Sequence, residues 1–357
     1  MTTPYLSIDL HKIEHNARTI TSLCGAKGIR VTGVTKCTCG HPEIATAMLC
    51  GGVADIADSR LENIRRMQAA GVESHFMLLR LPALSGVEQV IGSVAISLNS
   101  ELLVLESLSA AACRRQQVHD VILMVDLGDL REGFWPAELI PGVREALKLP
   151  GIRVRGLGTN LSCFGGVVPD EENMNQLVSL AEEIEQTFDT TLDVISGLNS
   201  SGLELVAAGA MPARVNHARI GEAILLGRET IHRKPWPDTH QDAFLLHAEV
   251  LELKTKPSLP VGNRSQDAFA AVPAFEDRGS ILRAILNLGR EDVDVTGITP
   301  LDSRIHILGA SSGYLILDVS ALQGHISMGD ELSFSLNYSA LLAAMTSEYV
   351  KKITLSR

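Results

Sequence analysis

The chain has 357 residues, of which 45% are hydrophobic and 20% are charged, and its formal net charge is −11. This length exceeds one ordinary core and predicts a large domain together with a smaller one. The negative charge argues against nucleic acid as a partner, and no apolar run is long enough to cross a bilayer. Because the first residues, MTTPYLSIDL, lack the pattern of a signal peptide, we expect a cytoplasmic protein without a membrane partner.

The chain starts with a strand candidate, Tyr5 to Asp9, and a helix candidate from about His11 to Cys24, where Ile13, Ala17 and Ile20 recur at helical spacing. After it, apolar runs alternate with amphipathic segments. Eight runs are predicted strands: Val31 to Lys36, Val53 to Ser59, His75 to Leu81, Val94 to Ser100, Val121 to Gly128, Val154 to Leu161, Asp193 to Ser200 and His217 to Leu225. Helices are predicted between them, among them Ser59 to Ala70, Glu101 to Gln117, Glu171 to Phe188 and Gly202 to Ala208.

Eight units of strand and helix predict an α/β fold, a closed (β/α)8 TIM barrel with parallel strands. An open doubly wound sheet is the competing topology. It is disfavoured because no GxGxxG motif follows the first strand.

The first barrel strand ends at a single lysine, Lys36, in the segment VTGVTKCTCGH. Small polar residues follow, so this lysine is expected at the carboxyl end of a buried strand and partly desolvated. Desolvation favours the neutral amine, which can form a Schiff base. The alternative is an ordinary lysine whose stem packs at a strand end. Cys37, Cys39 and His41 lack a second pair of ligands, so we expect no metal site.

Polar residues also follow the other strand candidates, at Asp58 to Arg60, Arg80, Asn99 to Glu101, Asp126 to Arg131, Thr159 and Asn160, Asn199 to Ser201, and Arg219 to Glu222. In a barrel these strand ends form one rim, where active sites are built. A lysine on that rim fits either a Schiff-base aldolase or pyridoxal 5′-phosphate. Ser200 and Gly221 favour the cofactor, because a hydroxyl and main-chain N–H groups beside a glycine can hold a phosphate, with Arg219 as a nearby fixed charge. Asn199 could instead cap the next helix.

Past Arg228 the periodicity is lost, and His232 to Asp242, with two prolines, is expected to be a linker. Later strand candidates are Ala243 to Lys254, Ser280 to Gly289, Ser303 to Leu308, Gly313 to Val319 and Glu331 to Leu336. The sequence therefore predicts a barrel over residues 10–231 and a C-terminal β domain over 232–357 that includes the N-terminal strand of residues 1–9.

Several segments resemble the alanine racemase superfamily of fold-type III pyridoxal phosphate enzymes, most closely its ornithine racemase branch. They run from SIDLHKIEHN at Ser7 to MGDELSF at Met328, and the most specific are VTKCTCGH, VDLGDLREGF, GTNLSCFGG, SGLNSSG, ARIGEAILLGRE, KPSLPVG, LGREDVD and NYSALLAAMTSEYV. The resemblance implies that Lys36 carries the cofactor and is one of two proton carriers. It also implies that Arg131 contacts the phenolic oxygen and that Arg219 faces the pyridine nitrogen. The remaining cofactor-binding positions, at or beside the phosphate, are Asn199, Ser200, Gly221, Glu222 through its main chain, and Tyr338.

Two family hallmarks are missing. Arg290 in LNLGRED stands where a catalytic tyrosine is usual, and GASSGY lacks the methionine-aspartate pair near the substrate carboxylate. Met124 stands where many alanine racemases carry a lysine, and Asn160 stands where they carry a histidine. A two-base inversion still needs an acid or base opposite Lys36. Candidates are Asp292, Asp294, Ser312 and Tyr314; alternatively the aspartates are turn residues and the tyrosine a strand residue.

The resemblance implies a pyridoxal phosphate-dependent racemase of ornithine, or of a similar basic amino acid such as lysine, acting as a homodimer with shared active sites. An acidic partner for the distal ammonium could be Asp267, Glu276, Asp277, Glu291 or Asp292, although each could be a solvated loop carboxylate. The missing hallmarks leave open a decarboxylase or another α-carbon enzyme with the same cofactor, or a non-catalytic pyridoxal phosphate-binding protein. The substantial β domain counts against the last.

Overall fold

The computed structural model describes residues 2–272 and 274–355, and within it the chain forms two compact units. One unit is Leu10–Gln241. The other combines the residues up to Asp9 with those from Asp242 onward. Among the described residues, no helix is both long enough and apolar enough to span a membrane.

The unit Leu10–Gln241 is a closed barrel of eight parallel strands in the order β2 to β9. In chain order, after β1 (Tyr5–Asp9), its elements are α1 (Leu10–Gly25), β2 (Arg30–Val34), α2 (Pro42–Cys50), β3 (Asp55–Asp58), α3 (Leu61–Ala69), β4 (Met77–Leu78), α4 (Val87–Ile91), β5 (Ile96–Asn99), α5 (Leu102–Arg114), β6 (His119–Met124), α6 (Pro136–Ala146), β7 (Ile152–Gly158), α7 (Glu171–Phe188), β8 (Val194–Leu198), α8 (Leu203–Ala207), β9 (His217–Ile220) and α9 (Glu222–Leu226). The predicted barrel is confirmed, and each of the eight runs overlaps a strand. The run predicted over His75 to Leu81 is a strand only at β4.

Alternate strand residues fill the inside of the barrel with apolar side chains. Val34, Ala57, Met77, Leu98, Ile122 and Met124 form one buried cluster. Val194 of β8 also packs against this cluster, although β8 is not a neighbour of any strand that contributes to it. Side chains of strands that are not neighbours meet inside a barrel, so the cluster fills the interior. Burying each large side chain stabilises the fold by roughly 1.5–3 kcal/mol. Met124 is fully buried there, so the place of the common family lysine is occupied by core packing.

On the outside of the barrel, α7 begins with a capping box in which Asp170 accepts from the Asn173 N–H at 2.8 Å and the Asn173 side chain accepts from the Asp170 N–H at 3.0 Å. Both donors would otherwise be unpaired at the helix start. The predicted helix Glu171 to Phe188 is observed over the same residues.

The second unit is built on an antiparallel sheet in the order β12, β15, β10, β11, β14, β13. Its elements are β10 (Phe244–Pro257), β11 (Ser280–Leu286), β12 (Ile298–Pro300), β13 (His306–Ala310), β14 (Leu315–Asp318), β15 (Glu331–Leu336), α10 (Tyr338–Thr346) and β16 (Lys351–Leu355). The strand β1 pairs antiparallel with β10 and parallel with β16, so it belongs to this sheet. The elements β12, α10 and β16 were not predicted.

Candidate active site

Strands β2 and β9 are neighbours in the barrel, and residues near their carboxyl ends are paired. Thr32 is paired with Arg219, and Gly33 with Ile220. Lys36 follows the end of β2 after one residue, in a short 3-10 turn over Lys36–Thr38. The strand register therefore places the lysine and the arginine at the same edge of the barrel.

The expectation that Lys36 is partly desolvated is wrong, because its side chain is exposed. The 3-10 turn buries Cys37 and Thr38 and leaves the lysine on its open side. The amine is thus accessible at the barrel mouth, where it can meet a dissolved aldehyde.

Arg219 is a buried cation inside the barrel, only 6% exposed. Its Nη1 donates to the Ser196 carbonyl at 3.1 Å and also to the Ser196 hydroxyl. Its Nη2 donates to the Thr159 carbonyl at 2.6 Å. Burial lowers the pKa of Arg219 to about 10, with Glu132 opposing and Arg131 reinforcing the change. The guanidinium stays charged near neutral pH, and two strands fix its orientation.

The turns after β8 and β9 meet at Ser200, which is 5% exposed. The main-chain N–H of Ala223 donates to the Ser200 hydroxyl at 3.2 Å. Gly221 lies so close to β2 that an added Cβ would be 3.0 Å from the Val34 carbonyl oxygen. The Glu222 carboxylate pairs with Arg233.

Asn199 has a structural role in this turn. Its side-chain oxygen accepts from the N–H of Ser201 at 2.8 Å and from its hydroxyl at 2.6 Å, while its amide donates to the Leu161 carbonyl at 2.8 Å. Asn199 therefore caps the 3-10 turn Ser200–Gly202, whereas α8 begins without a side-chain cap. It also ties this turn to the segment after β7.

Arg131 lies in the loop after β6, beside polar groups of the loop after β7. It forms an ion pair with Glu132 and contacts the Cys163 sulfur at 2.7 Å through Nη1. With its oxygen turned toward the arginine, the Asn160 amide accepts from Nη2 at 3.2 Å and from Nη1 at 3.3 Å. Burial alone would lower the pKa of Arg131, but Glu132 raises it above its usual value. Both Arg131 and Glu132 act on the pKa of Arg219, in opposite directions.

The candidates for the second proton carrier lie in the β-sheet unit. The segment after β11 packs on the hairpin turn between β13 and β14, since the Arg290 N–H donates to the Ser311 carbonyl and the Glu291 N–H to the Ser312 carbonyl, both at 3.0 Å. Asp292, 5% exposed, accepts from the Gly289 N–H at 2.8 Å.

Within the same cluster, Ser312 is exposed and Tyr314 is 53% exposed. Asp294 caps the N–H of Thr296 and accepts from the Ser339 hydroxyl at 2.6 Å. Tyr338, predicted at the phosphate, begins α10 and is half-buried.

Residues 8–229 match the model of the alanine racemase N-terminal domain. The chain belongs to the alanine racemase family. The resemblance predicted from the motifs is thereby confirmed. Among the described residues, no group of three or more histidine, cysteine or acidic side chains could hold a metal ion.

Two relatives of this alanine racemase family member match it along nearly its whole length. An ornithine racemase from Acetoanaerobium sticklandii is 41% identical over 350 residues, which cover 98% of this chain and 99% of the relative. A lysine racemase from Thermotoga maritima is 37% identical over 353 residues, covering 99% of each.

Solved structures agree on the fold. An alanine racemase from Clostridium difficile 630 superposes with a TM-score of 0.76 at 17% identity, covering 99% of this chain and 96% of the other. A D-threonine aldolase from Filomicrobium marinum reaches 0.70 at 14% identity, covering 98% of this chain and 90% of the other. At these identities the likeness establishes the architecture alone.

Sequence reasoning missed three groups that surround the predicted arginines: Glu132, Ser196 and His217. Ser196 and His217 lie within the apolar runs predicted as β8 and β9, at inward positions where hydrophobic residues are usual. A polar residue at an inward position was the available signal.

Proposed function

We propose that this protein interconverts L- and D-ornithine, or a similar basic amino acid such as lysine, with pyridoxal 5′-phosphate held on Lys36. Family membership together with two full-length racemase relatives makes the protein an amino-acid racemase, which is an isomerase. The proposal concerns the amino acid, the cofactor and the residues. The observation that carries it is the register of β2 against β9, which puts the Lys36 strand end beside a buried arginine.

The rim of the barrel suits pyridoxal phosphate in the chemistry of its donors. Lys36 offers an accessible amine for the aldehyde. Ser200 offers a hydroxyl beside the main chain of the Gly221 turn, where the absence of a Cβ lets the turn approach Val34 closely. Arg219 offers a fixed cation that cannot give its proton to the pyridine nitrogen. These groups match an aldehyde, a phosphate and a ring nitrogen.

Pyridoxal phosphate, when bound, draws away the electron pair left at Cα after the α-proton departs. Once the substrate's own amine has displaced it from the cofactor, the Lys36 amine would accept that proton on one face, and a second group would supply a proton on the other face. Because a guanidinium does not give up its proton, Arg219 would leave the ring nitrogen unprotonated, and less charge would spread into the ring. Return of a proton to Cα would then be favoured over side reactions.

Among the candidate residues for the second face, we favour Tyr314. It lies on the hairpin turn with its ring 53% exposed, and its own N–H is fixed to the Ser311 hydroxyl at 3.2 Å. The Asp292 carboxylate is buried and engaged with the Gly289 N–H, and Ser312 carries an alcohol that is a weak acid. A Tyr314→Phe variant should exchange the α-hydrogen of one enantiomer with D₂O without inverting it. Equal loss of exchange for both enantiomers would assign Tyr314 another role.

For the distal ammonium of the substrate we favour Glu291, which is exposed beside the same turn. Of the other acidic candidates, Glu276 pairs with Arg278, and Asp267 is engaged by the N–H groups of its own turn. A Glu291→Gln variant should raise KM for ornithine but not for norvaline, which has the same carbon chain without the ammonium. An equal rise for both substrates would exclude a contact with the ammonium.

We further propose a homodimer in which one chain supplies Lys36 and its partner supplies Tyr314. A mixture of inactive Lys36→Ala and Tyr314→Phe chains should then regain about one quarter of wild-type activity, since half of the dimers contain one intact site. No recovery after subunit exchange would contradict shared sites. The cytoplasmic location stays a prediction.

The decisive experiment is incubation with L-ornithine in D₂O. The wild type should exchange the α-hydrogen and drive optical rotation to zero, whereas a decarboxylase would release a diamine and a non-catalytic protein would do neither. Lys36→Ala should abolish exchange, while Lys148→Ala, which removes a lysine on the outer end of α6, should not. Borohydride reduction followed by peptide mapping should label Lys36. Labelling elsewhere would refute the assignment.

A further inference from the structure

A continuous row of hydrogen bonds runs behind Arg219 across three neighbouring strands. Thr32 Oγ1 of β2 lies 2.9 Å from His217 Nε2 of β9, and His217 Nδ1 lies 2.7 Å from Ser196 Oγ of β8. The same Ser196 hydroxyl contacts Arg219 Nη1. All of these groups are buried, with His217 only 6% exposed. His217 has no part in the proposed proton transfers.

The chemistry of the donors fixes the direction of each bond. A guanidinium can only donate, so the Ser196 oxygen accepts from Arg219. Across residues 2–272 and 274–355, the contacts made by that hydroxyl are with Arg219 and His217, so its own hydrogen points to Nδ1. His217 therefore carries its proton on Nε2, from which it donates to Thr32.

Charge supports the same assignment. A proton on Nδ1 would aim two donors at the Ser196 oxygen, and protonation of both ring nitrogens would place a second cation beside a buried guanidinium. Burial, with Arg219 and Arg30, lowers the pKa of His217 to about 3, so the ring is neutral at every pH where the enzyme would work.

We propose that His217 is a positioning residue for Arg219, acting by accepting the Ser196 hydroxyl hydrogen and so holding the serine oxygen toward the guanidinium. This inference rests on the proposed function in one respect, the meeting of Arg219 with the cofactor's ring nitrogen. Without the histidine acceptor, the hydroxyl is free to rotate, and one of the bonds that orient Arg219 weakens.

The chain provides a matched control. His119 is also a buried barrel histidine, 3% exposed, whose Nε2 lies 2.8 Å from the Ser97 hydroxyl, and burial lowers its pKa to about 4. That pair lies on β5 and β6, and the second donor to Ser97 is the Asn99 amide rather than an arginine. Replacing either histidine should cost similar packing, but only one substitution touches Arg219.

The test combines ring substitution in the cofactor with substitution in the protein. Binding of pyridoxal phosphate to the cofactor-free wild type, His217→Leu and His119→Leu chains is titrated by fluorescence, and then repeated with the 1-deaza analogue, whose ring has carbon in place of nitrogen. We expect His217→Leu to weaken pyridoxal phosphate about tenfold more than the analogue, the loss typical of one hydrogen bond to a charged group. His119→Leu should affect both ligands equally. His217→Gln, whose amide oxygen can accept from Ser196, should recover part of the difference. An equal effect of His217→Leu on both ligands would reduce His217 to a packing role and overturn the proposal.

A second measurement requires no substitution and no cofactor. In wild-type protein labelled with ¹⁵N-histidine, the His217 ring should show an unprotonated Nδ1 and a protonated Nε2 throughout pH 5–8. A ring protonated on Nδ1 at neutral pH overturns the proposal whatever the affinities. If pyridoxal phosphate fails to bind the wild type, the proposed function falls, and the ring signals still decide the role of His217.

Discussion

The loop after β7 depends on a single buried carboxylate, Asp129, which is fully buried. Its Oδ2 accepts from the Phe164 N–H at 2.8 Å and from the Cys163 N–H at 3.3 Å, while Oδ1 accepts from the Val167 N–H at 3.1 Å. The loop in turn carries Cys163 against Arg131. Substitution of Asp129 by asparagine should therefore loosen the part of the rim that contacts Arg131.

The size of the effect follows from these bonds. In an Asp129→Asn chain, one of the two oxygens becomes an NH₂ group, so at least one main-chain N–H faces a donor instead of an acceptor. Hydrogen bonds to a charged group are worth about 1.5–3 kcal/mol each, and an unpaired buried donor adds to the loss. We expect the loop to be destabilised by about 3 kcal/mol, which corresponds to a roughly hundredfold larger equilibrium constant for opening.

The pH dependence has a definite sign. Burial alone would raise the pKa of Asp129, but the main-chain N–H groups outweigh it and hold the pKa below its usual value. A carboxyl group with a lowered folded-state pKa stabilises fully above its unfolded value and loses that stabilisation as the pH falls through the folded value. Protection of the wild-type loop should therefore be constant at neutral pH and decrease only in acid, whereas the variant should lack this acid transition.

Amide hydrogen exchange at Phe164 and Val167 measures this directly. The matched control is Asp170→Asn in the same connection, because asparagine caps a helix as well as aspartate, and the expected change is below about 0.5 kcal/mol. Wild-type exchange rates in Asp129→Asn would refute the reasoning, because the carboxylate would then not hold the loop.

Three further predictions concern the other parts of the site. Ser200→Ala should weaken the binding of pyridoxal phosphate about tenfold but leave the binding of pyridoxal, which has no phosphate, unchanged. In the same fluorescence titration, the control Ser201→Ala should not discriminate between the two ligands. Equal losses for both ligands in Ser200→Ala would exclude a phosphate contact. Gly221→Ala should lower thermal stability by about 1 kcal/mol, since its Cβ would be 3.1 Å from the Val34 Cβ, and an unchanged melting curve would show that the turn yields freely. Burial raises the pKa of Asp292, so its ionised form destabilises the fold at pH values above the usual pKa of a carboxyl group. Asp292→Asn should thus be at least as stable as the wild type at pH 7 in urea, with the difference vanishing in acid, and a less stable variant at pH 7 would show that its hydrogen bond outweighs burial.

The barrel could be predicted because each strand is a short apolar run that stops at polar residues. The ends of these runs also identified the rim, since parallel strands bring their carboxyl ends to one edge. What failed was the environment of single side chains. Lys36 is exposed because of a 3-10 turn that the residues KCT do not reveal, and the helix α10 is too short to show a clear period in its small residues.

The loop that Asp129 organises was beyond sequence reasoning for a different reason. Its bonds join residues more than thirty positions apart, and they go to main-chain N–H groups, which leave no trace in residue type. From the sequence alone, an aspartate in DLGDLREG is equally consistent with a residue that stabilises only its own turn. Only the fold distinguishes a carboxylate that holds its own turn, as Asp126 does with the Gly128 N–H, from one that holds a neighbouring loop.

The sequence nonetheless contains a signal for the site, in the residues that line the barrel interior. Ala57 of β3 and Leu98 of β5 belong to the apolar cluster, whereas Ser196 of β8, His217 of β9 and Thr32 of β2 form a polar row on the other side. A guanidinium cannot be buried against the apolar side without a large desolvation cost. It can be buried where neighbouring strands supply acceptors, and that side of the barrel is the one that ends at Lys36. Polar residues at inward positions of consecutive strands therefore mark which part of the rim is built to hold charge.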